Sequence, residues 1–301
     1  MSVSTSATPL ARPRTASALF ELTKPRIVLL VLFTGMPALL LAGTAMPLGR
    51  VFWGALIGIA LSAASGAAFN HYYDRDLDGL MLRTRMRPLP SGTVTPAAAA
   101  ALGLGLGWLS WVVLCVACNP LSALIAMCSI FYYAVIYTVW LKRRTPQNIV
   151  IGGAAGAAAP LIAWTAVTGH VGLPAIMMAS IIFLWTPPHF WALSLYRRED
   201  YERAGLPMLP VTHGEPYTRR AILTYSIVLV AATLVAGPLS GLGPLYLVSA
   251  ALLGGGFVMQ AFQLMRTPTT ARAMKLFRYS IAYLFALFLV MLVEGILHVR
   301  G

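Results

Sequence analysis

Residues 52–78 read FWGALIGIALSAASGAAFNHYYDRDLD, an apolar run that continues into three carboxylates without a break. In a helix, residues four apart are offset by only about 40°, so Asn70, Asp74 and Asp78 share one face while Asp76 points elsewhere. An amide and two carboxylates at the end of an apolar helix suit a hard divalent cation, which prefers oxygen ligands. The stretch therefore predicts a helix that ends in a candidate metal site; the alternative is a solvated helix end.

The rest of the chain is as apolar as this helix. Of its 301 residues, 58% are hydrophobic and 10% are charged, and the mean hydropathy is +0.77. These values are typical of a polytopic membrane protein, since about 20 apolar residues cross a bilayer. We therefore expect an all-α bundle of nine transmembrane helices, with the lipid bilayer and no nucleic acid as its partner. The predicted spans are residues 27–46, 51–72, 96–116, 121–141, 148–168, 172–195, 221–239, 243–265 and 278–298.

The charges of this topology lie almost entirely on one side. Short cytoplasmic loops collect Lys and Arg, and with the N-terminus inside, only Arg50 and Arg300 fall on the other side. Every acidic residue except Glu294 also lies on the basic side. The positive-inside tendency does not explain carboxylates, so they indicate a functional site at the cytoplasmic face. The expected location is a bacterial inner membrane, with a mitochondrial inner membrane as the alternative.

The chain divides into a short tail and one membrane domain. Residues 1–23 are polar and rich in Ser, Thr and Pro, without a cleavage pattern, which favours a mobile cytoplasmic tail over a signal peptide. Residues 24–301 then form a single transmembrane domain. Near the outer end of the third span, Cys115 and Cys118 form a C-x-x-C, which we interpret as small apolar filler, with a redox pair as the alternative.

Two long charged loops follow the second and sixth spans, at residues 74–95 and 197–220. Each contains acidic residues, then basic residues, then a Leu-Pro turn, and four spans separate them, so both face the cytoplasm. The similarity predicts two pseudo-repeat halves, about 24–145 and 146–301, with a site between them. The alternative is chance similarity between two Pro-containing loops.

A third basic loop, Lys142-Arg-Arg144, lies on the same side between the fourth and fifth spans. Alone, it is typical of positive-inside anchoring. Together with the other two loops, it places cations around carboxylates at one membrane face. A magnesium-bound diphosphate requires this combination, because oxygens hold the metal and cations neutralise phosphate.

These residues resemble a known family. The pattern N-x-x-x-D-x-x-x-D at Asn70, Asp74 and Asp78, in a nine-span bundle with a second acidic loop, is similar to the UbiA-type intramembrane prenyltransferases. The resemblance covers residues 20–298, and five further sequence segments are similar to the branch of this family that acts on heme. These segments are Thr23-Lys-Pro-Arg26, Arg83-Thr-Arg-Met-Arg-Pro-Leu-Pro90, Leu141-Lys-Arg-Arg-Thr-Pro-Gln-Asn148-Ile-Val-Ile-Gly-Gly153, Trp185-Thr-Pro-Pro-His189-Phe-Trp191 and Asp200-Tyr-Glu-Arg-Ala-Gly-Leu-Pro-Met-Leu-Pro210.

The resemblance implies transfer of a farnesyl group from farnesyl diphosphate to a vinyl group of heme B. It also implies Mg²⁺ held by Asn70, Asp74 and Asp78, and a heme A synthase as the enzyme that acts next. The basic residues implied to neutralise the diphosphate are Arg83, Arg87 and Lys142, with Lys24 and Arg26 as weaker candidates. Several tyrosines are candidates to face the allylic cation or to anchor the interface. These are Tyr72, Tyr73, Tyr132, Tyr133 and Tyr137.

The second polar loop and the histidines have more than one predicted role. The second loop lacks the D-x-x-x-D of many family members, so Asp200 is expected to contact an Arg or a single metal rather than complete a second paired site. His189 follows Pro187-Pro188, which should kink the sixth span. The hypothesis for His189 is a heme-iron ligand or porphyrin contact, and the alternative is a hydrogen bond to a neighbouring helix. His71 ranks lower, because it is predicted to point off the stripe.

Two rival functions remain at this stage. A secondary transporter also has repeats and kinked helices, but transporters usually place charges near the bilayer midplane. Within the family, the alternative acceptor is an aromatic acid such as 4-hydroxybenzoate.

Overall fold

The computed structural model describes residues 15–43 and 49–300, the side chains of 298–300 excepted. Within these ranges the chain is all-helical and has no β-strand. Its helices are α1 (Thr15–Leu22), α2 (Pro25–Leu41), α3 (Gly49–Leu80), α4 (Pro96–Ala117), α5 (Pro120–Phe131), a π-helix (Tyr132–Leu141), α6 (Asn148–Gly156), α7 (Ala158–Thr168), α8 (Leu173–Tyr196), α9 (Arg198–Arg203), α10 (Leu209–Thr212), α11 (Gly214–Leu239), α12 (Pro244–Arg266) and α13 (Thr270–Arg300).

The apolar segments predicted as spans all coincide with helices. In the described part, 8 spans are long and apolar enough to cross a membrane, and a ninth is counted if α1 and α2, bent by 40° at their junction, form one span. The fourth span continues from α5 into the π-helix, and the fifth combines α6 and α7. An all-α membrane protein is thereby confirmed.

The helix α3 extends well beyond the predicted end of its span at residue 72. It continues to Leu80 because the carboxylates of its last turns are buried and paired with cations rather than solvated. Its long packing partner is α4, and the two approach closely at Gly103, where an added Cβ would lie 3.1 Å from the ring of Phe69. The stripe is consequently held inside the bundle.

The expectation of a mobile tail over residues 1–23 is wrong for its last part. Residues 15–22 form α1, since Ala18 and Leu22 are buried in a small apolar cluster with Leu89, Val94 and Ala99 of the first polar loop and α4. Residues 1–14 lie outside the described part of the chain. The loop that follows α3 is therefore covered by α1.

The second half of the chain packs around α8, which contacts both α11 and α13. Despite Pro187 and Pro188, α8 is one continuous helix. Glu294 of α13, the lone acidic residue in the predicted outer half, accepts hydrogen bonds from the backbone N–H groups of Gly243 (2.6 Å) and Tyr246 (2.8 Å). It thus satisfies the free N–H groups at the start of α12, a structural role for a carboxylate in a membrane helix.

Candidate active site

The stripe predicted on α3 is present and buried. Asn70, Asp74 and Asp78 are 4%, 1% and 1% exposed, and Asn70 Nδ2 donates to Asp74 Oδ2 at 2.7 Å. As expected, Asp76 points away: it accepts two hydrogen bonds of 2.7 Å from Arg143, and this hydrogen bonding raises the pKa of the Arg143 guanidinium. The helix therefore sorts its polar residues into a buried face and a solvated one.

Asp74 is paired with Lys142, whose Nζ donates to Oδ2 at 2.5 Å. The other carboxylate oxygen, Oδ1, is buried and has no hydrogen-bond partner in the described structure. A buried charged oxygen without a partner is costly unless a ligand completes its shell. Asp74 therefore offers one open acceptor inside the bundle.

Asp78 is paired with Arg87 of the first polar loop. Nη1 of Arg87 lies 2.8 Å from both carboxylate oxygens, and the hydroxyl of Thr84 donates to the Asp78 carbonyl at 2.9 Å. These contacts fold the loop back over the end of α3. Arg87 is therefore held at the stripe by its own ion pair with Asp78 and by the hydrogen bond that Thr84, in the same loop, makes to the Asp78 backbone.

Lys24 joins the stripe from the α1–α2 junction and donates to Asn70 Oδ1 at 2.5 Å. Its backbone is left-handed, with φ 50° and ψ 60°, the one such non-glycine residue in the ranges 15–43 and 49–300. This conformation costs about 1–2 kcal/mol. Removal from solvent, together with the neighbouring Arg87 and Lys142, lowers the pKa of Lys24 to about 7. Backbone strain at this half-buried lysine is consistent with a functional position.

The π-helix supplies the opposite wall. Its i→i+5 bonds, such as Lys142 N to Tyr137 O at 2.9 Å, bring residues four and five apart onto one face. Thr138 on this face accepts from Asn70 Nδ2 at 3.1 Å and donates to Tyr133 O at 2.8 Å. The rings of Tyr133 and Tyr137 stack at 5.5 Å with an interplanar angle of 8°. The π-helix thus aligns two aromatic rings, a hydroxyl and an ammonium towards α3.

The other three tyrosines make contacts outside the stacked pair. Tyr132 donates its hydroxyl to Ile151 O at 2.9 Å, and Tyr72 carries the guanidinium of Arg75 over its ring at 4.7 Å. Tyr73 packs edge-on against Tyr72, and its carbonyl accepts from Arg143 at 2.8 Å. Both interpretations of these three, contact with the allylic cation and anchoring at the interface, stay predictions.

His71 lies closer to the stripe than its low rank from sequence implied. It is buried, and its Nδ1 lies 4.0 Å from Asp78 Oδ2 without a hydrogen-bond partner among the described residues. Residues 71 and 78 are seven apart, about two helical turns, which places them on one side of α3. This spacing was the available signal for His71, and the four-residue pattern of the stripe obscured it.

The remaining predicted cations are less closely engaged. Arg83 and Arg26 are exposed, and neither forms an ion pair within residues 15–43 and 49–300. Asp200 accepts from Arg203 at 3.2 Å, which is the Arg contact expected of it. Burial raises the pKa of the neighbouring Tyr201 hydroxyl, while the charge of Arg83 opposes this shift. The second polar loop therefore lies within electrostatic reach of the first.

His189 is enclosed by aromatic rings on α8 and α13. Its ring stacks on Trp185 at 4.1 Å and on Phe277 at 4.5 Å, and its Nδ1 lies 2.6 Å from Ser280 Oγ. The predicted alternative, a hydrogen bond to a neighbouring helix, is therefore present, and it occupies one ring nitrogen of the two.

The charge balance and donor set of the stripe suit a metal-bound anion. No group of three or more His, Cys, Asp and Glu residues that could hold a metal ion is found in the described ranges, and the stripe offers the Asn70 amide oxygen beside its two carboxylates. The unpartnered Oδ1 of Asp74 provides an open ligand position. Arg87 and Lys142 balance the two carboxylates, and Lys24, when protonated, adds one positive charge, which favours an incoming complex with a net negative charge.

A buried stripe of carboxylates ringed by cations, at one end of an all-helical membrane bundle, defines a membrane-embedded enzyme that handles diphosphate esters. The sequence pattern of the UbiA prenyltransferase family matches residues 31–292, and the chain belongs to this family.

Similar proteins from several bacteria extend over nearly the whole chain. It is 47% identical to a protoheme IX farnesyltransferase of Thioalkalivibrio sulfidiphilus, covering 91% of each chain. It is 49% identical to protoheme IX farnesyltransferase 1 of Pseudomonas putida, covering 91% of this chain and 92% of the relative. Its identity to the enzyme of that name from Parvibaculum lavamentivorans is 47%, covering 99% and 94%.

Solved structures share the fold at low identity. A digeranylgeranylglyceryl phosphate synthase superposes with a TM-score of 0.79 at 18% identity, covering 94% of this chain and 99% of that one. A UbiA homologue from Archaeoglobus fulgidus, bound to DMAPP and Mg²⁺, gives 0.62 at 17% identity, covering 91% and 98%. The fold is therefore that of the UbiA family.

Proposed function

We propose that the protein transfers the farnesyl group of farnesyl diphosphate to a vinyl group of heme B, giving heme O. Support comes from relatives at 47–49% identity and full length that bear the name protoheme IX farnesyltransferase. The observation that carries the chemistry is the buried α3 stripe: its two carboxylates pair with Lys142 and Arg87, and its Asn70 amide oxygen accepts from Lys24, so that three cations from three different loops meet there.

In this proposal the cations act on the departing diphosphate. Lys142 now forms an ion pair with Asp74, and Arg87 forms one with Asp78. A bound diphosphate would provide both cations with phosphate oxygens as new partners. Lys24, which now donates to Asn70, would turn to the diphosphate in the same way. The carboxylates released by this exchange, together with the Asn70 amide oxygen, would hold Mg²⁺, which when bound supplies further charge stabilisation for the leaving group.

Breaking the allylic C–O bond leaves a delocalised cation that must be shielded. Tyr133 and Tyr137 present stacked rings next to the stripe, and Gly152 allows this approach, because an added Cβ would lie 2.2 Å from the Tyr137 ring. Ring faces attract cations by about 0.5–2 kcal/mol. The two tyrosines also exclude water from the face of the cation that they cover.

The reaction proceeds in two steps, transfer of the farnesyl group and then addition of water. The C–O bond to diphosphate breaks and its electron pair leaves with the diphosphate, while the vinyl π-electrons form the new C–C bond to the farnesyl carbon. The carbocation left on the porphyrin side arm takes up water, and loss of one proton from that water gives the hydroxyl of heme O. Diphosphate oxygens and bulk water are the available proton acceptors.

The remaining assignments belong to the same proposal. Arg83 and Asp200 would act at the entrance between the two polar loops, and His189 would contact heme. Arg26 is the weakest candidate, since its side chain is exposed. A second metal at Asp200 has little support, because its carboxylate is paired with Arg203.

The topology proposed with this function has nine crossings in a bacterial inner membrane, with the N-terminus and both polar loops in the cytoplasm. The bent α1–α2 pair would supply the ninth crossing. Two pseudo-repeat halves would enclose the site, and a heme A synthase would receive the product.

The acceptor is tested by incubating membranes that contain the protein with farnesyl diphosphate, Mg²⁺ and either heme B or 4-hydroxybenzoate. Mass spectrometry should detect a farnesylated and hydrated heme and no prenylated benzoate. Prenylation of 4-hydroxybenzoate without any modified heme would show that the aromatic acid, and not heme B, is the acceptor. Membranes from cells that lack the protein are the control.

A further inference from the structure

The cluster around His189 restrains the imidazole on both faces. Trp185, one turn earlier on α8, stacks at an interplanar angle of 19°, and Phe277 on α13 stacks at 24°. Trp185 is itself fixed, because its Nε1 donates to the Ser280 carbonyl at 2.7 Å. With near-parallel rings on both sides, the imidazole keeps one plane, and only its two nitrogen edges are available for polar contacts.

The contacts of Ser280 bear on which of these nitrogens carries the proton. Its hydroxyl has one hydrogen, and the carbonyl oxygen of Phe277, at 2.7 Å, is a backbone acceptor for it. We assign the hydrogen to this carbonyl, so that the hydroxyl oxygen accepts from His189 Nδ1 at 2.6 Å. A neutral imidazole that donates through Nδ1 has its lone pair on Nε2.

Nε2 is the edge that remains for a ligand. It makes no hydrogen bond to any described residue, yet it keeps accessible surface, in contrast to sealed and unpartnered atoms such as Nε1 of Trp191. His189 lies seven residues before the end of α8 and Asp74 six before the end of α3, about 10 Å in each case. Each side chain therefore lies about two helical turns from the end of its own helix.

We propose that Ser280 is a positioning residue for the acceptor: it holds His189 as the Nδ1–H form, so that Nε2 binds the heme iron. This inference rests on the proposed function, because heme B is the ligand. Metal-bound histidines usually donate their second ring N–H to an oxygen, and loss of that oxygen weakens metal binding by about 10- to 100-fold. The aromatic rings of Trp185 and Phe277 would keep the iron-binding edge in a fixed direction.

The test titrates ferric heme B into the purified full-length protein in detergent, without farnesyl diphosphate, and records the Soret band and the electron paramagnetic resonance spectrum. The parent should show a histidine-ligated iron, and His189→Ala should lose that signature. Ser280→Ala should bind heme about 10- to 100-fold more weakly. Ser280→Thr, which keeps the hydroxyl, should restore parental affinity.

Ser226→Ala is the matched control, since Ser226 is equally buried and its hydroxyl bonds only within α11, to Ile222 O at 2.7 Å. It should leave the heme spectrum unchanged, and all variants should keep the parental KM for farnesyl diphosphate. An unaltered heme affinity in Ser280→Ala would overturn the positioning role. If Ser280→Ala does not fold, the spectra of the parent and His189→Ala decide, because identical spectra exclude an Nε2–iron bond.

The two proposals fail in different ways. Farnesylation of heme with spectra that do not depend on His189 or Ser280 removes this inference and leaves the proposed function intact. Histidine-ligated heme without farnesyl transfer does the reverse.

Discussion

Lys142→Met tests whether Mg²⁺ takes the place of the Lys142 ammonium at Asp74. In the absence of ligands, Lys142 is the cation closest to Asp74, whose Oδ1 already lacks a partner among the described residues. Met keeps the length and the apolar stem of the side chain but removes its charge. Removing one partner of a buried ion pair typically destabilises a protein by about 3–5 kcal/mol. The metal-free variant should therefore unfold at a clearly lower temperature than the parent.

Mg²⁺ should reverse much of this loss. In the parent, Lys142 competes with the metal for Asp74, so Mg²⁺ alone should shift unfolding little. In Lys142→Met the competitor is gone, and Mg²⁺ at about 100 times its Kd would contribute about 2.7 kcal/mol. Thermal unfolding in detergent, with and without Mg²⁺, measures both effects. Turnover of the variant should fall by about 10²–10³-fold even with Mg²⁺, because the diphosphate has lost a stabilising charge.

Arg143→Met is the matched control. Arg143 is the next residue and pairs with a carboxylate of the same helix, but Asp76 is 60% exposed, and exposed pairs contribute about 0–1 kcal/mol. This variant should unfold near the parental temperature and gain no new response to Mg²⁺. Equal Mg²⁺ shifts in the parent and both variants, with no loss of stability in Lys142→Met, would refute the exchange of Lys142 for a metal at Asp74.

Three further changes have defined outcomes. Arg87→Lys should lower kcat by about tenfold, because Nη1 alone contacts Asp78 and an ammonium lacks the further donors with which a guanidinium binds phosphate, and steady-state kinetics with farnesyl diphosphate would show this. Gly152→Ala should destabilise the protein by about 1–3 kcal/mol through its clash with Tyr137, and parental stability in thermal unfolding would contradict that clash. Glu294→Gln should lose about 1–2 kcal/mol of stability by weakening two charge-assisted bonds, with an unchanged KM for farnesyl diphosphate.

Periodicity alone predicted the parts of the site that lie on one regular helix. The spacing of Asn70, Asp74 and Asp78 places them on one face of α3 whatever surrounds them, and the apolar runs gave the spans to within a few residues at most ends. The cations were identified as candidates by the family resemblance, and their pairing with individual carboxylates required the fold. Which of Lys24, Arg83 and Arg87 reaches the stripe depends on how the loops fold back.

The features missed from sequence arise where local geometry departs from regular helices. Thr138 reaches Asn70 because residues 132–141 form a π-helix, and an apolar sequence gives no signal for the change from i→i+4 to i→i+5 bonding. Lys24 reaches the stripe through a left-handed backbone that most lysines do not adopt. Helix α1 depends on tertiary contacts with the first polar loop, which a short polar segment does not reveal.

The most direct test of the site is single-turnover farnesyl transfer to heme B in membranes with equal amounts of folded parent and Asp78→Asn protein. Asn keeps the shape of the side chain but removes the charge that faces Arg87 and would hold Mg²⁺. We predict that farnesylated heme forms in the parent and that its rate falls by at least about 10²–10³-fold in the variant. A variant rate within about twofold of the parent would contradict a diphosphate site at the α3 stripe, since this factor corresponds to less than about 1 kcal/mol of transition-state stabilisation.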